Sequence, residues 1–114
     1  MLIAYIWSMK DSETKILNQI KKIVKAKEPS AKIYLYGSRS RGNAKNNSDC
    51  DLLILLNKNS ISSEVEREIT YPLYDLEFDT GEVISPMVYT EKEWNSKYSV
   101  TPFYQNVMKE GKLL

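Results

Sequence analysis

The chain has 114 residues, 42 % of them apolar and 27 % charged, and a net charge of +1. That is the length and composition of one soluble domain, with no global field to recruit nucleic acid or an anionic membrane. It contains no histidine and one cysteine. An internal disulfide, Ser-His-Asp or Cys-His catalysis, His-ligated metals and a cysteine zinc cage are therefore excluded, and any metal must be a hard, oxygen-bound cation such as magnesium, manganese or calcium.

The opening stretch MLIAYIWSM lacks a basic leader and a small-residue cleavage site, and it is too short to cross a bilayer. Residues 1–10 read as an extra N-terminal strand or a tail, or as sequence upstream of a start at Met9, and a cytoplasmic location is expected. Asp11 or Ser12 can cap a helix, along which Ile16, Leu17, Ile20, Ile23 and Val24 recur on one face as far as about Ala26, before Pro29 stops it. KIYLY, residues 32–36, is rich in β-branched and aromatic residues and predicts a strand. DLLILL, residues 51–56, is apolar on both parities, the pattern of a central strand covered on both faces.

Ser63-x-x-Glu66 forms a capping box for a second helix with Val65, Ile69, Leu73 and Leu76 along its inner face. Pro72 should kink or break that helix, and Gly81 should end it. EVISPMVY, residues 82–89, predicts a third strand, and Pro86 puts it at an edge or a bulge. Thr90 to Tyr98 suits a short helix, and Thr101-Pro102 opens a last one that ends before Gly111. The expected fold is α/β (α+β): a single domain over residues 1–114, with a mixed sheet of three or four strands flanked by helices. The lysine-rich first half and the acidic stretch from Glu64 to Glu82 read as solvated helix faces.

The chemistry concentrates in YGSRSRGNAKNNSDCDLLILL. Asp49 and Asp51 lie two positions apart, which in a strand puts both carboxylates on one face, roughly 7 Å apart, with Cys50 turned into the core. Two such carboxylates repel, and a divalent cation resolves the conflict. Upstream, Gly37-Ser38 at the end of a strand offers backbone N–H groups and a hydroxyl to an anion, and Arg39 and Arg41 add guanidinium groups suited to phosphate. A Walker loop does not fit, because Asn43-Ala44 follows Gly42 where Lys-Ser/Thr is required. A Rossmann glycine pattern is absent, and an EF-hand needs more oxygen ligands than this loop supplies in order.

Gly37-Ser38, then ten intervening residues, then Asp49-Cys50-Asp51 and Leu52-Leu53, resembles the signature of the DNA polymerase β-type nucleotidyltransferase superfamily. It is most similar to the minimal nucleotidyltransferase domains associated with toxin–antitoxin pairs, whose partner is a helical HEPN-type protein. The resemblance implies a small nucleotidyltransferase-like sandwich in which Gly37 and Ser38 hold the terminal phosphates of a nucleoside triphosphate. It also implies that Arg41, with Arg39 beside it, supports those phosphates, and that Asp49 and Asp51 bind Mg2+ (or Mn2+) and carry catalysis. The implied reaction transfers a nucleotidyl group to an acceptor hydroxyl. The family usually carries a third carboxylate on a neighbouring strand. Aligning Thr90-Glu91-Lys92-Glu93-Trp94 on the family's turn puts Ser85 at that position, with Glu82 three residues upstream and Glu77 and Asp79 as further candidates. A serine hydroxyl holds no negative charge at neutral pH, so it cannot replace a carboxylate as base. The alternative to a transferase of reduced activity is an antitoxin-like binding module that recognises a helical partner. Cys50 reads as a small buried hydrophobe, and the aromatic tail of Trp94, Tyr98, Phe103 and Tyr104 as core and not as a base-stacking platform.

Overall fold

The computed structural model describes residues 2–37, 39–40 and 49–114, with side chains described from Thr14 onward. Helix α1 spans Leu2–Lys27, so residues 2–10 continue the first helix and form neither a strand nor a tail. No glycine or proline interrupts Leu2–Lys27, and nothing in the segment offers a reason to stop. Asp11 and Ser12, expected at the N-cap, lie inside the helix.

Strands β1 (Lys32–Tyr36) and β2 (Cys50–Leu56) follow. Next come α2 (Ser63–Thr80), β3 (Ile84–Thr90), α3 (Glu91–Ser96), α4 (Pro102–Glu110) and a two-residue strand β4 (Lys112–Leu113). The sheet order is β3-β2-β1-β4. β1 is antiparallel to both β2 and β4, whereas β2 and β3 are parallel and connected through α2. β3 is an edge strand in unbroken register, so Pro86 sits at an edge and makes no bulge.

Each face of the sheet has its own apolar layer. Ile33, Leu35, Cys50, Leu52, Ile54 and Leu56 pack with Ile16, Ile20 and Val24 of α1 and with Ile69, Leu73 and Leu76 of α2. Leu53 and Leu55 point the other way, against Trp94 of α3 and Val107 of α4, joined by Tyr34, Tyr36, Tyr89 and Phe103. β2 is thus covered on both sides, as its unbroken apolar run requires, and each fully buried leucine or isoleucine contributes about 1.5–3 kcal/mol. The aromatic tail is core: Trp94 is fully buried and its ring lies 4.9 Å from Tyr104 and 5.4 Å from Phe103.

Local chemistry sets the helix ends. α2 is capped by Ser62, whose Oγ accepts from Val65 N at 3.2 Å; the cap is one residue earlier than the Ser63 box, because two adjacent serines offer equivalent hydroxyls. Gly81 at φ 76° ends the same helix by donating its N–H to the Glu77 carbonyl. α2 runs through Pro72 without a break, held by Ile69, Leu73 and Leu76 on either side of it. Thr90 and Thr101 cap α3 and α4 in the same manner as Ser62.

Candidate functional site

β1 ends at Tyr36 and β2 begins at Cys50, and their antiparallel register pairs Tyr36 with Asp51. Gly37 follows in the left-handed region at φ 78°, a conformation glycine adopts without steric cost. It is also the point of closest approach: a Cβ added to Gly37 would sit 2.5 Å from Asp51 Oδ2. The turn and the carboxylate are therefore packed together, backbone on side chain. Ser40 closes the turn, donating both its Oγ–H and its N–H to the Gly37 carbonyl, at 2.9 and 3.2 Å.

Asp51 is half-buried, and Asp49, immediately before β2, is exposed. Burial pushes the Asp51 carboxyl above its ordinary range, the negative charge of Asp49 adds to this, and Arg39 pulls the other way. Tyr36, beside Asp51, is pushed up to about 12 by burial first, then by Asp51 and Tyr89. Among the described residues no third carboxylate or thiol joins the two aspartates in a metal-binding group.

On the other side of β2, the parallel register pairs Asp51 with Ser85. Tyr36, Asp51 and Ser85 thus form one row across three strands, on the face covered by α3 and α4. Glu82 lies just ahead of β3, and its Oε2 accepts from Arg39 Nη2 at 2.5 Å. That guanidinium is buried, with 7 % of its side chain exposed, and it ties the turn after β1 to the start of β3. Glu77 accepts from Ile84 N at 2.7 Å and so fixes the first residue of β3, while Asp79 is exposed on α2. Cys50 is fully buried, and its N–H donates to the Val83 carbonyl at 2.7 Å. Ser38 and Arg41, the remaining phosphate-binding candidates, lie outside the described residues.

Gly37 is thus pressed against Asp51 near the start of β2, and Asp49 immediately precedes that strand. A family model described as "Nucleotidyltransferase domain" matches residues 17–112. The chain belongs to the nucleotidyltransferase domain family. The match takes in both halves of the site and every strand of this nucleotidyltransferase domain through Lys112.

Curated protein sequences give no match. Among solved structures, this nucleotidyltransferase domain is similar to a toxin–antitoxin crystallised with AMP-PNP, at 25 % identity and a TM-score of 0.60, over 84 % of this chain and 69 % of that one. Two mutants of the toxin–antitoxin MntA-HpeT share the fold. In one, two aspartates separated by a single residue are exchanged for glutamate (22 % identity, TM-score 0.57, 84 % of this chain and 69 % of that one). The other carries a tyrosine-to-alanine exchange (23 % identity, TM-score 0.57, 85 % and 69 %).

Sequence reasoning missed the contribution of α4. Tyr36 and Gly37 border a cavity whose other walls are Phe103, Asn106, Val107 and Glu110. The one local signal was the spacing of Asn106 and Glu110, four apart on one helix face. Nothing in the sequence ties that face to a turn seventy residues upstream.

Proposed function

We propose that this domain binds a nucleoside triphosphate with a divalent cation, magnesium or manganese, and transfers a nucleotidyl group to an acceptor hydroxyl at a low rate. The packing of Gly37 against the Asp51 carboxylate carries the reading, because it sets a phosphate-binding turn beside a cation-binding carboxylate. The donor set fits the cation. Asp49 disfavours the charged form of Asp51, a conflict that a positive ion between them relieves, and two carboxylates plus substrate phosphates make a sufficient magnesium site. When bound, the ion neutralises developing charge on the phosphates.

The chain's own residues divide the remaining work. The backbone at Gly37, with Ser38 and Arg41, orients the terminal phosphates. Arg39 supports that turn through its pairing with Glu82, which also makes Glu82 unsuited to serve as the third acid. In the reaction the acceptor oxygen bonds to the α-phosphorus, the bond to the β-phosphate bridging oxygen breaks, and pyrophosphate leaves. The hydroxyl proton needs a base, and at the position facing Asp51 stands Ser85, which cannot hold it; a general base there contributes about 10²–10⁴-fold. Slow turnover follows.

A second reading is supported by the surface of α2, where Tyr71, Tyr74 and Phe78 are exposed on one side, Phe78 by 90 %. Together with the similarity to structures crystallised as toxin–antitoxins, it favours an antitoxin-like module that recognises a helical HEPN-type partner. No helix among the described residues is long and apolar enough to cross a membrane.

Calorimetry with magnesium and a non-hydrolysable triphosphate tests the first reading. The double variant D49N/D51N is expected to lose magnesium-dependent binding, by about tenfold or more. Undiminished binding by that variant would sink it.

A further inference from the structure

The cavity between the Gly37 turn and α4 is built from two kinds of surface. It has a volume of about 270 Å³ and is lined by Tyr36, Gly37, Phe103, Asn106, Val107 and Glu110. Tyr36 and Phe103 meet edge to face, with centroids 5.4 Å apart, and Val107 is buried beneath them. This gives an aromatic and aliphatic wall. Asn106 and Glu110 supply the polar edge from α4. Gly37 belongs to the cavity on one side and touches the Asp51 carboxylate on the other.

We infer that this cavity receives the nucleobase of the triphosphate and selects a base bearing an exocyclic amino group, adenine or cytosine, through Asn106 and Glu110. The inference rests on the nucleotide-binding reading and specifies its substrate class. Drug-sized ligand pockets run to about 300–1,000 Å³, so this cavity has room for a planar base but not for a whole nucleotide. The shared wall at Gly37 puts the base on one side of a residue whose other side faces the phosphates and cation. The recognition chemistry matches the polar edge: an asparagine amide pairs with the amino group and adjacent ring nitrogen of adenine, and a glutamate accepts from the amino group of cytosine. An ionised carboxylate only accepts, with about four lone-pair sites, so Glu110 retains capacity for a base whatever else it contacts. A uracil would turn a carbonyl oxygen toward that carboxylate and be rejected.

Three probes separate the possibilities, each measured by calorimetry with magnesium: the α,β-methylene analogues of ATP and of UTP, and inorganic tripolyphosphate. The wild-type domain is expected to bind the ATP analogue about tenfold or more tighter than the UTP analogue. N106A and E110Q should each erase most of that preference while changing tripolyphosphate binding by less than about twofold. Asn106 is exposed and Glu110 partly exposed, and thermal melts verify that the variants are folded. Equal binding of the two analogues by the wild type, or a preference that both variants leave intact, overturns the inference even if tripolyphosphate binds. Should tripolyphosphate not bind, the phosphate-and-cation reading fails by itself. In that case adenosine binding that N106A abolishes would still uphold the cavity's role.

Discussion

At the scale of single residues, the site turns on Gly37. Its φ of 78° lies where side-chain-bearing residues are strained, and the space a Cβ would need is taken by Asp51 Oδ2 at 2.5 Å. The φ cost stands whatever the space, whereas the clash can be relieved only by turning the Asp51 carboxylate out of its place. Gly37→Ala is therefore expected to lower stability by about 1–3 kcal/mol and to weaken triphosphate binding beyond what the lost stability explains. Chemical denaturation and calorimetry on the same sample check both halves; a variant as stable as the parent would show that the turn relaxes freely. Ser85 is the opposite case. It stands in register with Asp51, and the slow turnover proposed above takes it as the occupant of the position where the resemblance expects a third carboxylate. The turn on which that alignment rests was legible in the sequence, because Thr90 is a local cap of α3.

Among the elements, the Arg39–Glu82 pair links the turn after β1 to the start of β3, across forty-three positions of sequence. Arg39 is almost wholly buried and Glu82 about one-third exposed, so the pair supplies one of the partners that a buried guanidinium needs. Glu82→Gln is expected to cost about 1–3 kcal/mol, less than a fully buried pair because water screens the glutamate side. A double-mutant cycle with Arg39→Met, read by denaturant unfolding, should recover much of that loss. Additive losses would show that the two side chains act independently. Elements with strong local chemistry were legible beforehand: the two-sided apolar run of β2, the Gly81 stop and the Thr101-Pro102 start of α4. The Glu82 pairing was not, because it depends on where β3 lies relative to β1. α2 survives Pro72 because three buried residues offset the roughly 3 kcal/mol that an interior proline costs. The helical start of α1 escaped notice since nine mostly apolar residues satisfy either periodicity, and β4 is too short to leave a pattern.

For the whole molecule, the sheet separates two surfaces of different chemistry. The α3/α4 side holds Asp51, Ser85 and the cavity. The α1/α2 side turns outward Tyr71, Tyr74 and Phe78, with Glu68, Asp75 and Asp79 also exposed on α2. Exposed aromatics contribute little to folding, so Tyr71→Ser with Phe78→Ser is expected to shift unfolding by no more than about 0.5 kcal/mol per site. If the domain recognises a helical HEPN-type partner through α2, the same variant should weaken the complex by about tenfold or more, as loss of aromatic anchors does. Co-purification and titration with that partner decide it, and undiminished association would assign the stripe no part in binding. The sequence showed that these aromatics exist, but exposure is a property of the packed helix. Ile69, Leu73 and Leu76 were already legible as the inner face of α2, and the packed helix adds how far each aromatic on the other side is exposed.

The antiparallel register of β1 on β2 has a consequence for how such a gene can vary. Gly37 meets Asp51 only because Tyr36 lies opposite Asp51. Loss or gain of one codon inside either strand would slide the two against each other and turn every following side chain to the wrong face. Point changes among the interchangeable aliphatics of β2 leave the turn and the carboxylate in step. Sequence length within these two strands is therefore the inherited quantity on which the site depends, more than the identity of most residues that fill them.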